Sequence, residues 1–312
     1  MCWILGRRFI FVGALMVCVL GLVSSCIFSA HHSDFPWIVR LMVRKTSAQL
    51  CVGNLVSEHF IMTPVSCYRR WSTLPKDYYS AKDLMVIAGR DDGETNYCSQ
   101  ERPGVLVTAH SNFSKDPHNN NIAILEVESF EFDPQDIPVM PFFTTAEENL
   151  KVLAKIQKDK PICYVPTFKQ TKYLRNLAED KESMRVHIVD GTECWNKFCP
   201  RGHQACLPFF SKKTYVCAQF INPDKRCTRR DVGAPLVCDQ VSVGNLKLCR
   251  ENRPMLFQGF NENVLDSMNR YKNMSIKLRE YVKILEEEKK KPRREISRLM
   301  RRFFETLCLF SE

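Results

Sequence analysis

Short apolar stretches separated by polar turns recur along the middle of the chain and predict strands. Residues 84–88 are apolar and run into a turn at residues 89–90. Residues 185–189 alternate between polar and apolar side chains, which is typical of a strand with one buried face. Residues 234–238 form another short apolar stretch, preceded by a polar loop and a turn at Gly233. The pattern therefore predicts several short strands in the body of the chain.

A longer apolar stretch lies at the N-terminus. Residues 9–23 are continuously apolar, follow Arg7 and Arg8, and lead into the small residues Ser24 and Ser25. This is the layout of a secretory signal. The stretch is shorter than the roughly 20 residues that a membrane-spanning helix needs. We therefore predict a signal peptide over residues 1–26, with a retained signal anchor as the alternative.

The C-terminal residues 286–312 have a different, helical periodicity. Pro292 breaks or kinks any continuous helix, and apolar residues recur after it at helical spacing between arginines. Such a basic amphipathic tail can lie on an anionic membrane or glycan surface, or bind a protein partner. It can also pack back on the body of its own chain. The apolar positions are Ile296, Leu299, Met300, Phe303, Phe304 and Leu307.

Composition and charge narrow the class of protein. The chain has 312 residues, of which 45% are hydrophobic and 26% charged, as is typical of a globular protein with a sizeable core. The formal net charge is +10, and much of this excess lies in the tail. An excess of Lys and Arg over Asp and Glu would by itself allow nucleic-acid binding, but the secretory signal argues against a nucleic acid as partner.

Cysteine is abundant, and 12 of the 15 cysteines follow the signal segment. In a secretory chain this even number predicts a disulfide framework. The spacing of Cys199, His203 and Cys206, taken with Cys194, also allows a zinc site with three cysteines and one histidine. Because thiols oxidise in secretory compartments, an extra disulfide loop is the favoured interpretation. No metal and no cofactor is predicted.

Residues 227–238, with the sequence CTRRDVGAPLVC, resemble the nucleophile segment of trypsin-like serine proteases. The pattern of that segment is Cys-x-Gly-Asp-Ser-Gly-Gly-Pro-Leu-Val-Cys. The nucleophilic serine falls on Val232, whose isopropyl side chain has neither a proton to lose nor a lone pair. The positions that match are Asp231, Gly233, Pro235 and Cys238.

Two further segments carry the same resemblance. Residues 51–67 are similar to the segments around the catalytic histidine of the family, and that position is Ser66. Residues 119–125 resemble the segment whose aspartate orients the histidine, and that position is Asn121. A serine hydroxyl is no general base near neutral pH, and an amide does not stabilise an imidazolium as a carboxylate does. His59 is kept as an alternative base that is expected to face solvent.

The resemblance covers residues 35–285 and implies an all-β fold of two antiparallel six-stranded β-barrels. It also implies a C-terminal helix at residues 276–285, after which residues 286–312 form an added basic helical tail. The implied disulfide bonds are Cys51–Cys67, Cys163–Cys238 and Cys194–Cys217. The pairing stays open for Cys98, Cys199, Cys206, Cys227, Cys249 and Cys308, with Cys249 the nearest candidate partner of Cys227.

The resemblance also locates the specificity pocket and the oxyanion hole. Lys225 falls near the base of the pocket, where trypsin has an aspartate, and Arg230 replaces the oxyanion-hole glycine. In active members a new N-terminal amine binds the aspartate that Asp231 matches. No basic activation site precedes residues 35–39 here. Asp231 therefore needs another partner or lies near solvent, because an unpaired buried charge is costly.

Together these features predict a catalytically inactive serine protease homologue that is secreted or at the cell surface and serves as a scaffold for an unknown protein partner. A membrane-anchored structural or adhesion subunit is the alternative, and an enzyme with a rearranged nucleophile and base is a third hypothesis. Asn112 and Asn273 begin Asn-x-Ser tripeptides and are candidate glycosylation sites in a secretory protein.

Overall fold

A computed structural model describes residues 35–70, 77–89, 99–110, 113, 120–131, 139–168, 181–198, 215–250 and 253–288. Within these residues, the strands form two closed antiparallel barrels of six strands each. The prediction of an all-β, two-barrel fold is confirmed. The predicted signal peptide lies outside the described residues, as do residues 289–312 of the predicted tail.

The first barrel is built from the N-terminal half, with the strand order β1-β2-β3-β6-β5-β4 and β4 closing onto β1. All six residues of β1 are buried, because one face of this strand fills the barrel and the other meets the second barrel. The strands are β1 (Ile38–Val43), β2 (Ala48–Leu55), β3 (Phe60–Thr63), β4 (Leu84–Gly89), β5 (Ser99–Ala109) and β6 (Ala123–Val127).

The second barrel has the order β10-β11-β12-β9-β8-β7, and β7 closes onto β10. In β8 the residues Met184, Val186 and Ile188 are buried while Arg185 and His187 are exposed, which agrees with the alternation in the sequence. The strands are β7 (Ile162–Phe168), β8 (Lys181–Ile188), β9 (Tyr215–Phe220), β10 (Pro235–Cys238), β11 (Val241–Leu248) and β12 (Met255–Gly259).

The two barrels share an apolar contact that positions the candidate site. Ile38 of β1 and Val52 of β2 are fully buried in the core of the second barrel. In the other direction, Val232 of the second half packs into the core of the first barrel. Side chains from each half therefore complete the core of the other, and the loop before β10 lies against β2.

Among the residues that the structure describes, three helices pack on the barrels: α1 (Ala146–Asp159), α2 (Gly191–Phe198) and α3 (Glu262–Glu288). Helix α3 includes the predicted helical residues 276–285 but begins 14 positions earlier, because Val264, Leu265 and Met268 form an apolar face that packs with Phe60 of β3. None of the helices in the described ranges is both long enough and apolar enough to cross a membrane.

Candidate functional site

Ser66 and Asn121 form a reciprocal hydrogen-bonded pair. Ser66 lies in a 3-10 turn after β3, and Asn121 lies two residues before β6. The Ser66 backbone N–H donates to Asn121 Oδ1 at 3.0 Å, and Asn121 Nδ2 donates to Ser66 Oγ at 3.0 Å. Asn121 is only 6% exposed, so this pair is held within the edge of the first barrel. The two positions that the sequence places in one catalytic unit are therefore in direct contact.

Val232 packs in the apolar cluster that flanks Ser66. Its side chain is buried in the cluster that includes Val65 and Cys67, the two chain neighbours of Ser66. The segment is fixed to β2 because the Val52 N–H donates to the Val232 carbonyl at 3.0 Å. The structure thus brings Ser66 and Asn121 into contact and places Val232 in the cluster that contains the neighbours of Ser66.

The loop before Val232 closes on itself. Residues Arg229–Asp231 form a 3-10 turn, in which the Val232 N–H donates to the Arg229 carbonyl at 3.2 Å. The Arg230 N–H donates to Thr228 Oγ1 at 3.3 Å. An oxyanion hole of the serine-protease type needs two such backbone N–H groups directed at the substrate. Here both donors have acceptors inside the turn.

Asp231 holds the turn in place. Its carboxylate is 4% exposed and accepts from Thr167 Oγ1 at 2.5 Å, from the Thr228 N–H at 2.7 Å and from Thr228 Oγ1 at 3.0 Å. Burial raises the pKa of this carboxyl, against the hydrogen bonds from the two threonines, which lower it. The expectation of another partner is met by Thr167 and Thr228, and the alternative of a position near solvent is wrong.

Comparison with known proteins agrees with the two-barrel fold. The family model described as Trypsin matches residues 26–264. The chain belongs to the trypsin family. It is 20% identical to rat (Rattus norvegicus) granzyme B over 214 residues, covering 69% of this chain and 75% of granzyme B. It is also 20% identical to rat glandular kallikrein-10 over 233 residues, covering 70% of this chain and 75% of the kallikrein.

The trypsin-family disulfides tie the site to its barrels. The structure forms the three implied bonds and adds Cys227–Cys249, the pairing for which Cys249 was the nearest candidate. Cys194 is bonded to Cys217 and so does not belong to a zinc site. The implied bonds are Cys51–Cys67, Cys163–Cys238 and Cys194–Cys217, whereas Cys98, Cys199, His203, Cys206 and Cys308 lie outside the described residues.

Of the alternative base and the candidate glycosylation sites, His59 and Asn273 lie in the described part of the chain. His59 lies at the far end of β3 from Ser66, and its side chain is 20% exposed and 4.0 Å from Glu58. His59 is thus partly exposed, so the expectation that it faces solvent is met only in part, and it does not join the site. Asn273 is exposed on α3, and Asn112 lies outside the described residues.

A cavity of about 470 Å³ opens beside the Cys227–Cys249 bond, and Lys225 lines it. Lys225 also forms an ion pair with Glu182 of β8. Three further cations, Arg226, Arg250 and Arg253, line the same cavity. Sequence reasoning missed Arg250 and Arg253, since no motif marks these two and only the fold brings them beside Lys225.

Asp231 is expected to make stability depend on pH. Because burial raises its pKa above the ordinary value of 3.8, the unfolded chain releases this proton at a lower pH than the folded chain does. The contribution of Asp231 to stability is therefore complete below pH 3.8 and falls as the pH rises through the raised pKa. The free energy of unfolding, measured by urea titration from about pH 4 to about pH 7, checks this.

Asp231→Asn is the reference variant, because it keeps Oδ1 as an acceptor for Thr167 but does not ionise. The free energy of unfolding of the native chain minus that of the variant is expected to decrease as the pH rises. A difference that stays constant or increases with pH would contradict the assignment of a raised pKa.

Proposed function

We propose that this trypsin-family chain is catalytically inactive and acts as a protein-binding scaffold, secreted or at the cell surface. The observation that carries the proposal is the closed turn at Arg229–Asp231, in which the backbone donors of Arg230 and Val232 are both occupied. Val232 offers no nucleophile, and the hydroxyl of Ser66 offers no base near neutral pH. The site therefore lacks three separate requirements of acyl transfer, and such groups act as a unit.

A secretory location is supported by the disulfide bonds among the described residues, since such bonds persist in oxidising compartments. The N-terminal segment distinguishes secretion from the alternative, a membrane-anchored adhesion subunit. Expression in mammalian cells followed by mass spectrometry of the mature N-terminus tests this directly. A chain that starts near Cys26 supports secretion, and a chain that keeps residues 9–23 favours the anchored alternative.

The proposed inactivity is tested with a fluorophosphonate probe that labels activated serines. We expect no labelling of the purified full chain at a probe concentration that labels active trypsin completely, because Val232 replaces the nucleophile and Ser66 is hydrogen-bonded to Asn121. The readout is the intact mass of the protein. Stoichiometric addition of the phosphonyl group to any residue would overturn the proposal.

Restoring the triad alone is expected to leave the chain without measurable hydrolysis. The variant Ser66→His/Asn121→Asp/Val232→Ser regains the three side chains, but the N–H groups at positions 230 and 232 stay bonded inside the turn. Each missing oxyanion donor lowers the rate by about 10²–10³-fold. The rate at which a panel of peptide esters is hydrolysed is measured for the variant and for the native chain.

Thermal unfolding of the same variant is the control, since a folded variant is needed for the comparison. Turnover within about 10²-fold of trypsin in the folded triple variant would show that the turn opens easily. The occupied donors would then not explain the proposed inactivity.

A further inference from the structure

The cavity beside Cys227 is lined by both apolar and cationic residues. Its lining comes from β9, from the loop after that strand and from residues that follow Cys249. Of the apolar lining residues, Ala218 and Met255 are buried. The cationic residues, together called the basic wall, are Lys225, Arg226, Arg250 and Arg253.

The basic wall is assembled by a covalent bond. Lys225 and Arg226 come just before Cys227, and Arg250 follows Cys249, so the Cys227–Cys249 bond brings two cationic segments to one cavity. The Arg253 N–H donates to the Arg250 carbonyl at 3.3 Å, which holds the backbones of these two arginines together. The fold thus sets the backbone positions of the cations, and no ligand is needed to bring the two segments to one cavity.

The charge on this wall is only partly neutralised within the described part of the chain. Glu182 pairs with Lys225. Arg250 and Arg253 are exposed and form no ion pair with a described carboxylate. Two cations that line one cavity attract an anion more strongly than either does alone.

Positive charge continues from the cavity toward the triad positions. Arg229 lies on the closed turn, and Arg69 follows Ser66 by three residues. Partial burial lowers the pKa of Arg229, and the charge of nearby Arg69 lowers it further, so the two guanidinium groups lie within electrostatic range. Within the described residues, cations therefore outnumber the carboxylates Glu182 and Asp224 around the cavity, and this excess of positive charge raises the local concentration of anionic ligands.

We propose that this cavity binds a polypeptide segment of the partner in which an acidic side chain lies beside an apolar one. The acidic side chain pairs with Arg250 and Arg253. The apolar one packs on a lining that includes Phe220, Pro223 and Met255. A sulfated glycan satisfies the cations but has no group for this apolar lining.

The size of the cavity fits such a segment. A volume of about 470 Å³ falls in the usual range for a site that encloses a small ligand or a few residues. The inference rests on the proposed scaffold function and names the chemistry of its partner.

The test uses the full secreted chain and two dye-labelled hexapeptides, Gly-Leu-Glu-Leu-Glu-Gly and its counterpart with glutamine in place of glutamate. Fluorescence anisotropy at low salt is expected to show at least about tenfold tighter binding of the acidic peptide. The preference is expected to weaken between about 0.05 and 0.5 M NaCl, because salt screens exposed charges.

Arg250→Gln/Arg253→Gln is the diagnostic variant, and we expect it to lose about tenfold in affinity for the acidic peptide. Lys155→Gln/Lys158→Gln is the matched control. It removes the same amount of charge from exposed positions of α1, neither of which is among the described residues that line the cavity, and is expected to bind as the native chain does. Equal losses in the two variants would overturn the site, since net charge alone would then explain binding.

Three further outcomes decide the proposal. Equal affinity for the acidic and glutamine peptides overturns it. Binding of heparin that requires Arg250 and Arg253, without binding of the acidic peptide, replaces the polypeptide with a glycan and also overturns it. Mass spectrometry of the recovered peptide separates this proposal from that of inactivity. An acidic peptide that is bound and then cleaved supports the proposed cavity and contradicts the proposed inactivity. An acidic peptide that stays intact but binds no better than the glutamine peptide contradicts the cavity and agrees with inactivity.

Discussion

Gly233→Ala is expected to destabilise the fold by about 4 kcal/mol or more, which is at the upper end of single substitutions. Gly233 has φ +92°, and a Cβ atom there would lie 2.1 Å from the Val52 carbonyl oxygen and 3.0 Å from Pro64 Cδ. The carbonyl cannot retreat easily, since β2 is bonded to this loop through the Val52 N–H and the Val232 carbonyl. Equilibrium unfolding in guanidinium chloride measures the loss.

Gly191→Ala is the matched control. Gly191 is the first residue of α2, and a Cβ atom there meets nothing within 4 Å, so this variant is expected to change stability by less than about 0.5 kcal/mol. If Gly233→Ala and Gly191→Ala lost similar amounts, the tight contact between the loop and β2 would be wrong. The control also removes any effect that is common to Gly-to-Ala changes in the unfolded chain.

Gly233 shows what the sequence could predict at the site and what it could not. Its match to the nucleophile segment identified the position of a turn, because local chemistry is visible in local sequence. The close approach to Val52 was not visible, since it depends on how a loop of one barrel lies on a strand of the other. The hydrogen bond from Asn54 Nδ2 to the Gly233 carbonyl, at 2.8 Å, also joins the loop to β2, and the local sequence could not predict it either.

The hydrogen-bond partners of Asp231 also divide into one that the local sequence could predict and one that it could not. The sequence predicted that this carboxylate needs a partner, because a buried charge without one is costly. One partner, Thr228, is local and follows the capping pattern of a Thr three residues before an acidic residue. The other, Thr167, lies 64 residues away on β7, and only the closure of the second barrel places its hydroxyl beside the carboxylate.

The basic cavity was predicted least well. The resemblance placed Lys225 near a pocket base, and the charge of that side chain was the only available signal. Arg250 and Arg253 come from a segment with no recognisable motif. Their position follows from the pairing of Cys249 with Cys227, which sequence spacing left open. Strand patterns and motif positions could thus be predicted from short windows, whereas the ligand chemistry of the cavity depended on one covalent contact between distant segments.

Removing the Cys163–Cys238 bond is expected to cost about 4 kcal/mol, because it closes the longest loop among the described disulfides. The bond joins β7 to β10, the two strands whose pairing closes the second barrel. Both cysteines are buried, so Cys163→Ala/Cys238→Ala also leaves a small void. The measurement is the free energy of unfolding under non-reducing conditions, compared with the native chain.

Cys51→Ala/Cys67→Ala is the comparison variant. Its cysteines are 16 positions apart, against 75 for Cys163 and Cys238, and loop-closure entropy predicts a smaller loss of about 3 kcal/mol. A larger loss for the short loop than for the long one would contradict this order.

Loss of the Cys163–Cys238 bond is also expected to affect the site. Cys238 ends the strand that follows Gly233 and Ala234, so opening the second barrel releases the anchor of the closed turn. We therefore expect the Cys163→Ala/Cys238→Ala variant to weaken the protection of the Val232 amide from hydrogen exchange more than the Cys51→Ala/Cys67→Ala variant does.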